Sequence, residues 1–398
     1  MNQVSRHSFI LISIVTVLYW TSLYTYVPIL APYLESLGYS FKLIGLIIGS
    51  YGLMQITVRL PLCIWSDRLR LSKKPFLLFG LITAGASSFL FTLSGAWWVT
   101  LTARSLAGIS GCTWVFYTVL YASYFRQEEA TRAMGSISFF AITGQVLGMT
   151  LSGFLSEFSG WEATFQAGNI IACAGIVLAF FLHEPNNHNP YEPIQFKDLA
   201  IVMKNPMLVK IAVLSILAQG IVFITMFGFT PSQALSLGAS KSDLTILSIA
   251  FMVPSAIASI SAGKWASSKF GDWNTIIAGF FLSAICTFAI SYAPTFTILA
   301  FSQGVNGFAQ GLYNPLMLGL AIQTIEPSKR TTAMGFYQSV YSVGIFCGPF
   351  LAGWLNETFG INGGFAFAGL LGIIAGFLAM YWQWKELQKE NDLNTLTQ

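Results

Sequence analysis

Two arginines, Arg59 and Arg104, lie deep inside runs of apolar residues. A guanidinium stays charged at physiological pH, and its planar fork pairs with carboxylate-like groups through parallel hydrogen bonds. Holding one in an apolar layer costs about 2.5–3.5 kcal/mol on insertion scales, so each must face protein, water or a ligand. The 16 acidic residues leave that layer empty. Glu35, Glu157, Glu162, Asp243 and Glu357 fall at loops and helix ends on one side. Asp67, Glu128, Glu129, Glu184, Glu192, Asp198, Asp272, Glu326, Glu386, Glu390 and Asp392 fall on the other, and His7, His183 and His188 are peripheral too. The interior therefore offers fixed cations and no titratable counter-charge. A neutral, zwitterionic or anionic organic solute suits it, whereas a lone organic cation gains nothing there. No nucleophile–base pair stands out, so no catalytic residue is assigned. The five cysteines, Cys63, Cys112, Cys173, Cys286 and Cys347, have neither paired nor metal-ligand spacing, and no metal or cofactor is expected.

Further candidates for contact with a solute are amides and aromatics repeated at helical spacing. Gln303, Asn306 and Gln310 follow one face, continued by Asn314, and a neutral amide can donate or accept. Tyr19 and Tyr26 share a face seven residues apart. Trp114, Tyr117 and Tyr121 form a stripe, as do Gln219, Phe223 and Phe227, while Tyr337, Gln338 and Tyr341 cluster. An aromatic lining with scattered amides fits a medium-sized amphipathic molecule. Each aromatic taken singly fits interhelical or lipid-facing packing as well.

The elements that must position these residues are membrane helices. Charged residues make up 9% of 398, hydrophobic residues 55%, and the mean hydropathy is +0.65; soluble domains carry about 25% charge. Spans of about 20 apolar residues or more are read near 9–33, 42–65, 75–94, 97–124, 132–156, 161–183, 207–235, 243–266, 273–292, 295–325, 331–356 and 361–384. The first is too long for a signal-peptide core and stays as a helix. Basic residues set the orientation. Of 20, 16 fall on the side that holds both termini: Arg6, Arg68, Arg70, Lys73, Lys74, Arg126, Arg132, Lys197, Lys204, Lys210, Lys264, Lys269, Lys329, Arg330, Lys385 and Lys389. Lys42 and Lys241 alone fall opposite, so both termini are expected in the cytoplasm. Basic residues scattered over short loops do not make a nucleic-acid surface.

The chain also repeats itself at an offset of 200. Thr131, Ala133, Met134, Gly135, Gly144, Gly148, Leu151, Gly153, Leu155, Glu157 and Gly160 all recur 200 residues later, 11 identities in the 30 positions from 131 to 160; chance gives roughly two. Two parallel halves follow, related by an axis along the membrane normal. The expected division is 1–183, a linker at 184–206 rich in Pro and Asn, and 207–398, with a short amphipathic stretch at 195–204.

Several motifs resemble those of the major facilitator superfamily. Cys63-Ile64-Trp65-Ser66-Asp67-Arg68-Leu69-Arg70-Leu71-Ser72-Lys73-Lys74 is similar to the family's G-x-x-x-D-R-x-G-R-R-K loop, with Cys63 and Arg70 replacing its glycines. The second-half copy, Ser268-Lys269-Phe270-Gly271, has Ser at the Asp position. Leu101, Arg104, Gly108 and Gly111 resemble L-x-x-x-R-x-x-x-G-x-x-G. Gly144, Gly148 and Gly153, and more closely Gly344, Gly348, Pro349 and Gly353, resemble the G-x-x-x-G-P-x-x-G-G motif of exporters. The stretches Pro28–Tyr33 and Tyr51–Gln55 with Arg59–Leu62 look like bacterial efflux relatives.

The resemblance implies an all-α membrane protein of twelve transmembrane helices in two pseudo-symmetric six-helix bundles. It implies alternating access by a monomer, with Asp67, Arg68 and the small-residue motifs in gating, and spans one, four, seven and ten lining the site. Export is the expected direction, with a nutrient or organic-acid importer and a lipid-handling flippase as rivals; a non-transporting sensor is disfavoured by the short tails. If protons drive transport as in an antiporter, Glu157 or Glu357 is the candidate carrier.

Overall fold

The computed structural model describes residues 6–68, 71–125, 130–184, 203–325 and 330–396. Sixteen α-helices and two π-helical segments make up the fold, with no strand among the described residues. Helices α1 (Arg6–Tyr24) and α2 (Leu30–Ser36) occupy the first expected span, which is not continuous. Pro28 has no N–H to donate, and the helix stops before it. Then follow α3 (Phe41–Arg68), α4 (Lys74–Leu93), α5 (Trp97–Cys112) and α6 (Trp114–Ala122). The fourth expected span is thus also broken, at Thr113, just after Gly108 and Gly111 weaken the helix. Next come α7 (Ala130–Ser159), α8 (Trp161–Ala179) and α9 (Pro206–Ile224). A π-helical turn at Thr225–Phe229 leads into α10 (Thr230–Ser236), whose Pro231 lies in the first turn, where an N–H is not needed. The remainder is α11 (Asp243–Ser261), a second π-helical turn at Ala262–Ala266, α12 (Ser267–Phe270), α13 (Asp272–Ile290), α14 (Phe296–Gln323), α15 (Arg330–Phe359) and α16 (Ile361–Leu396).

Ten stretches among the described residues are long and apolar enough to cross a membrane. Expected spans ten and eleven correspond to α14 and α15, 28 and 30 residues long, whose apolar runs are diluted by Gly, Ser, Asn and Gln. The interdomain stretch 185–202, with most of the expected amphipathic segment, lies outside the described residues.

Packing follows the 200-residue repeat. Within the first half α1 packs on α7 and α8, α4 on α5 and α8, and α3 on α5. The counterparts pair in the same way: α9 on α15 and α16, α13 on α14 and α16, and α11 on α14. The contacts between halves repeat too, with α3 on α15 and α7 on α11. Small residues make these crossings close. A Cβ on Gly148 would stand 2.7 Å from Thr21 O, and one on Gly344 would collide with Ile216 O. Gly153 faces α11 at Thr245 while Gly353 faces α3 at Phe41, so the repeated glycines serve equivalent crossings.

The end of the molecule that carries α2 and α10 is closed. One apolar cluster joins Ile29, Leu30 and Leu34 to Phe229, Ala234, Leu244 and Leu247 across the halves. Thr245 donates to Thr150 O at 3.1 Å, and the Glu157 carboxylate accepts from the N–H groups of Lys241 (2.9 Å) and Ser242 (3.3 Å) beside the start of α11. At the opposite end Glu184 accepts from the N–H groups of Lys73 and Lys74 at the start of α4. Glu386 plays the corresponding part at the start of α13, accepting from Trp273 Nε1 and Lys210 Nζ, each at 2.8 Å.

Candidate functional site

The break between α5 and α6 decides what the two arginines do. A helix that ends leaves its last carbonyls without internal partners. Here Ser110 O, met locally by the Thr113 N–H at 2.8 Å, also accepts from the Tyr19 hydroxyl at 2.6 Å, and Gly111 O accepts from Arg59 at 3.3 Å. Arg59 also donates to the side-chain oxygen of Gln55, one turn earlier on α3, and across the halves to Gln338 O on α15 at 3.1 Å. Its two terminal nitrogens are therefore occupied by protein acceptors and tie α3, α5 and α15 together, while its Nε, like that of Arg104, is buried without a partner among the described residues.

Arg104 is as deeply buried as Arg59, each 3% exposed, and its charge has no such acceptor. No hydrogen bond joins its guanidinium to another described residue, and its Nε is buried without a partner. It is held by ring faces instead: the guanidinium carbon stands 4.6 Å from the Tyr51 ring centre and 5.9 Å from that of Tyr26. It lines a cavity with Leu23, Tyr24, Val27, Tyr51, Phe223 and Phe227. The walls come from α1, the turn after it, α3, α5, α9 and the π-helical turn, so both halves contribute. Phe223 stacks on Tyr51 at 6.0 Å, and Phe227 meets Tyr24 at 5.8 Å and Phe223 at 5.2 Å. The wide turn at 225–229 carries Phe227 into this wall. The cavity is about 10 Å³, the room of about one water. A solute of organic size enters only if the aromatic wall from the two halves parts.

Of the residues expected at a solute site, Arg104, Phe223 and Phe227 line this cavity, with Tyr26 against Arg104. The others lie in the surrounding packing. The Tyr19 and Tyr117 rings lie 4.5 Å apart at a tilt of 31°, with Tyr117 bonded to Leu77 O at 3.4 Å, and Trp114 lies 5.2 Å from Trp20. The Tyr26 hydroxyl pairs with Ser87 Oγ at 3.0 Å. In the second half the Tyr337 hydroxyl meets Ser215 Oγ at 2.6 Å and its ring lies 5.4 Å from Tyr341. Gln338 contributes its backbone carbonyl to Arg59, while its own Oε1 is buried and unpaired. Asn306 Oδ1 accepts from Ser283 Oγ of α13 at 2.7 Å. Gln303 is wholly buried with neither side-chain atom paired, and Nε2 of Gln310 is likewise unpaired. Gln219 is half-buried on α9.

Among the gating candidates, Gly144 and Gly148 abut α1, and Gly344 and Gly348 abut α9. Pro349 O faces Gly45 of α3 across the halves. The side chains of Asp67 and Arg68 lie outside the described residues. Glu157 and Glu357 are both exposed at helix ends. Sequence reasoning passed over Tyr24, Leu23 and Val27, and took Tyr51 only as part of a motif. One signal was available: Gln55 precedes Arg59 by one helical turn, so Arg59 has a long amide acceptor within its own helix, while a turn either side of Arg104 offers only the short hydroxyl of Thr100 beside Leu101, Ala107 and Gly108.

Comparison with known proteins agrees with this architecture. Residues 12–235 and 211–397 each match the family model described as Major Facilitator Superfamily. The chain is 26% identical over 354 residues to the inner membrane transport protein YajR of Escherichia coli (strain K12), covering 87% of this chain and 77% of that protein. It is 23% identical over 393 residues to the "Probable sugar efflux transporter" of Mannheimia succiniciproducens, covering 96% and 94%. The inward-facing, unoccupied crystal structure of a bacterial homolog of the human lysosomal transporter Spinster superposes with a TM-score of 0.77 at 14% identity, over 94% of this chain and 97% of that one. With its helical bundles, their repeated packing and a family match over nearly its whole length, the chain belongs to the Major Facilitator Superfamily, and is an integral membrane transporter rather than an enzyme.

Proposed function

We propose that this transporter exports a neutral, zwitterionic or anionic amphipathic organic solute across the cytoplasmic membrane by alternating access. One observation carries the charge preference: Arg104 is buried, lacks a hydrogen-bonded partner among the described residues and faces a cavity walled by aromatic side chains from both halves. An unpaired buried cation is costly. An anionic or strongly accepting group relieves that cost in a setting where a charge-assisted bond is strong. Neighbouring Tyr24, Tyr51, Phe223 and Phe227 supply apolar surface for the rest of the molecule. In this reading the solute parts the two aromatic faces, and the halves, 1–183 and 207–398 with 184–206 as linker, rock about the α3–α15 and α7–α11 crossings.

Both termini are assigned to the cytoplasm by the basic-residue count, which puts the α2–α10 end outside. Export is favoured by the small-residue motifs of α7 and α15, and by the relative whose name describes sugar efflux. Tyr19, Tyr26, Trp114, Tyr117, Gln219, Gln303, Asn306, Gln310, Tyr337, Gln338 and Tyr341 serve as a second layer that reshapes as the halves move. Asp67 and Arg68 act at the cytoplasmic gate. The test is untargeted metabolite analysis of medium and cytoplasm from cells with and without the gene. Export requires an organic solute enriched in the medium of expressing cells and lost faster from preloaded ones. Accumulation inside the cells overturns the direction.

A further inference from the structure

Glu35 stands apart from the peripheral carboxylates. It is the penultimate residue of α2, in the seam where α2 meets α10. Glu35 is half-buried, but its Oε1 is buried and has no hydrogen-bond partner among the described residues, and neither has the buried Oγ of Ser232 on α10, which lies close to the carboxyl. Around them the seam holds no charge: Ala31, Leu34 and Ala234 are all 2% exposed or less, and the buried polar residues of α10, Thr230 and Gln233, are neutral. None of the residues that line the Arg104 cavity belongs to α2 or α10, so this carboxyl does not serve that site.

We propose that Glu35 is a proton-binding site that controls this seam: protonated, it lets α2 and α10 stay together; ionised, it draws water between them and parts the helix ends. The ligand is a proton taken from water at the face that the orientation above makes external. The proposal goes beyond substrate identity and transport direction, and depends on neither.

The physical basis is the cost of a desolvated carboxylate. An ionised carboxyl held partly out of water is expensive, whereas the neutral acid is not; the Ser232 hydroxyl can bond either form and offsets that cost only in part. Burial raises the Glu35 carboxyl pKa, and proximity to Ser232 lowers it in part. No charged group adds to these two effects. The packed elements explain why: α10 and the turn at 225–229 contain no titratable side chain, and α3 brings Lys42, which is exposed at its start. Tyr33 on α2 directs its hydroxyl to Phe91 O at 3.5 Å. The sign follows from linkage. Closure binds the proton more tightly than the opened, hydrated seam, so the closed form is favoured at acid pH. That preference is lost as pH rises from the ordinary carboxyl value of 4.5 through the raised one.

The seam is measured with nitroxide labels at Ser36→Cys and Ser236→Cys, two exposed positions at the ends of α2 and α10, after replacement of the five native cysteines. Pulsed electron paramagnetic resonance of the full chain in lipid nanodiscs then gives the distance distribution from about pH 4 to about pH 9. The short-distance population should dominate at acid pH. Its ratio to the long-distance one should fall by about tenfold for each unit by which closure raises the carboxyl pKa. Glu35→Gln should stay short at every pH. Ser232→Ala, which removes the group that helps hold the charge, should move the midpoint to higher pH. A pH-independent wild-type distribution overturns the proposal, as does a pH response that survives Glu35→Gln undiminished. If Glu35→Gln fails to give monodisperse protein, a Ser232→Ala midpoint that stays put or moves to lower pH overturns it.

Discussion

Arg59 on α3 and Arg104 on α5 are equally removed from solvent, yet only Arg59 places its guanidinium against protein acceptors. The carbonyl of Gly111 is available to Arg59 because α5 stops one residue later, and Gln55 and Gln338 supply acceptors for the other bonds of its terminal nitrogens. Arg104 is two turns nearer the start of α5, where every carbonyl is engaged within the helix, and it is left with the faces of Tyr51 and Tyr26. The difference teaches that an intramembrane arginine is read from the acceptors within its reach, since its cost of burial is the same in both places. Arg59 belongs to the joint between halves; Arg104 belongs to the cavity between them.

Stability measurements separate the two most sharply. Arg59→Ala removes three hydrogen bonds that join α3, α5 and α15 and should destabilise the protein by about 3 kcal/mol, read as a lower unfolding temperature in detergent. Arg104→Ala removes an unpaired buried charge and should leave that temperature unchanged or raise it. Equal losses from both variants would erase the distinction. The joint itself is probed at the helix crossings. Gly344→Ala sets a methyl against Ile216 O and should cost about 1–3 kcal/mol. Gly335→Ala, on the same helix with nothing within 4 Å of the added carbon, should instead gain about 0.5–1 kcal/mol. A smaller effect is expected at the support of Arg104. Tyr51→Leu removes the ring face beneath the guanidinium and should weaken binding of an amphipathic carboxylate by about fivefold, or about 1 kcal/mol, while Tyr51→Phe keeps the face and the affinity. An undiminished affinity in Tyr51→Leu would mean that the ring does not position Arg104.

Much of the fold was legible because membrane helices announce themselves by length and hydropathy, and because the halves share glycines at one offset. Gly160 and Gly360, at φ of +81° and +73°, end α7 and α15 at matching places. The breaks were less legible. Pro28 stood in plain view, but a proline can also sit within a continuous membrane helix, as Pro349 does in α15. Nothing in the residues around Thr113 separates a weak helix from a broken one. At the site, Arg104 and Phe223 could be picked out by charge and spacing. Tyr24 and Phe227 could not be seen as neighbours, because spacing along one helix does not say which residue of another half its face meets. The amide row of α14 follows helical spacing as read, yet Asn306 meets Ser283 of α13: spacing fixes that residues share a face, and only packing decides which neighbour the face meets.

The most direct measurement is binding by purified protein of two amphipaths matched in size and apolar surface, one a carboxylate and one a quaternary ammonium, to the wild type and to Arg104→Ala and Arg104→Lys. The free guanidinium of Arg104 predicts that the wild type binds the carboxylate tighter by about tenfold or more. Arg104→Ala should abolish that preference, and Arg104→Lys should keep only part of it, since an ammonium lacks the planar fork. Tighter binding of the quaternary ammonium that survives Arg104→Ala would contradict this, and would assign recognition to the aromatic faces of Tyr24, Tyr51, Phe223 and Phe227 acting on a cation.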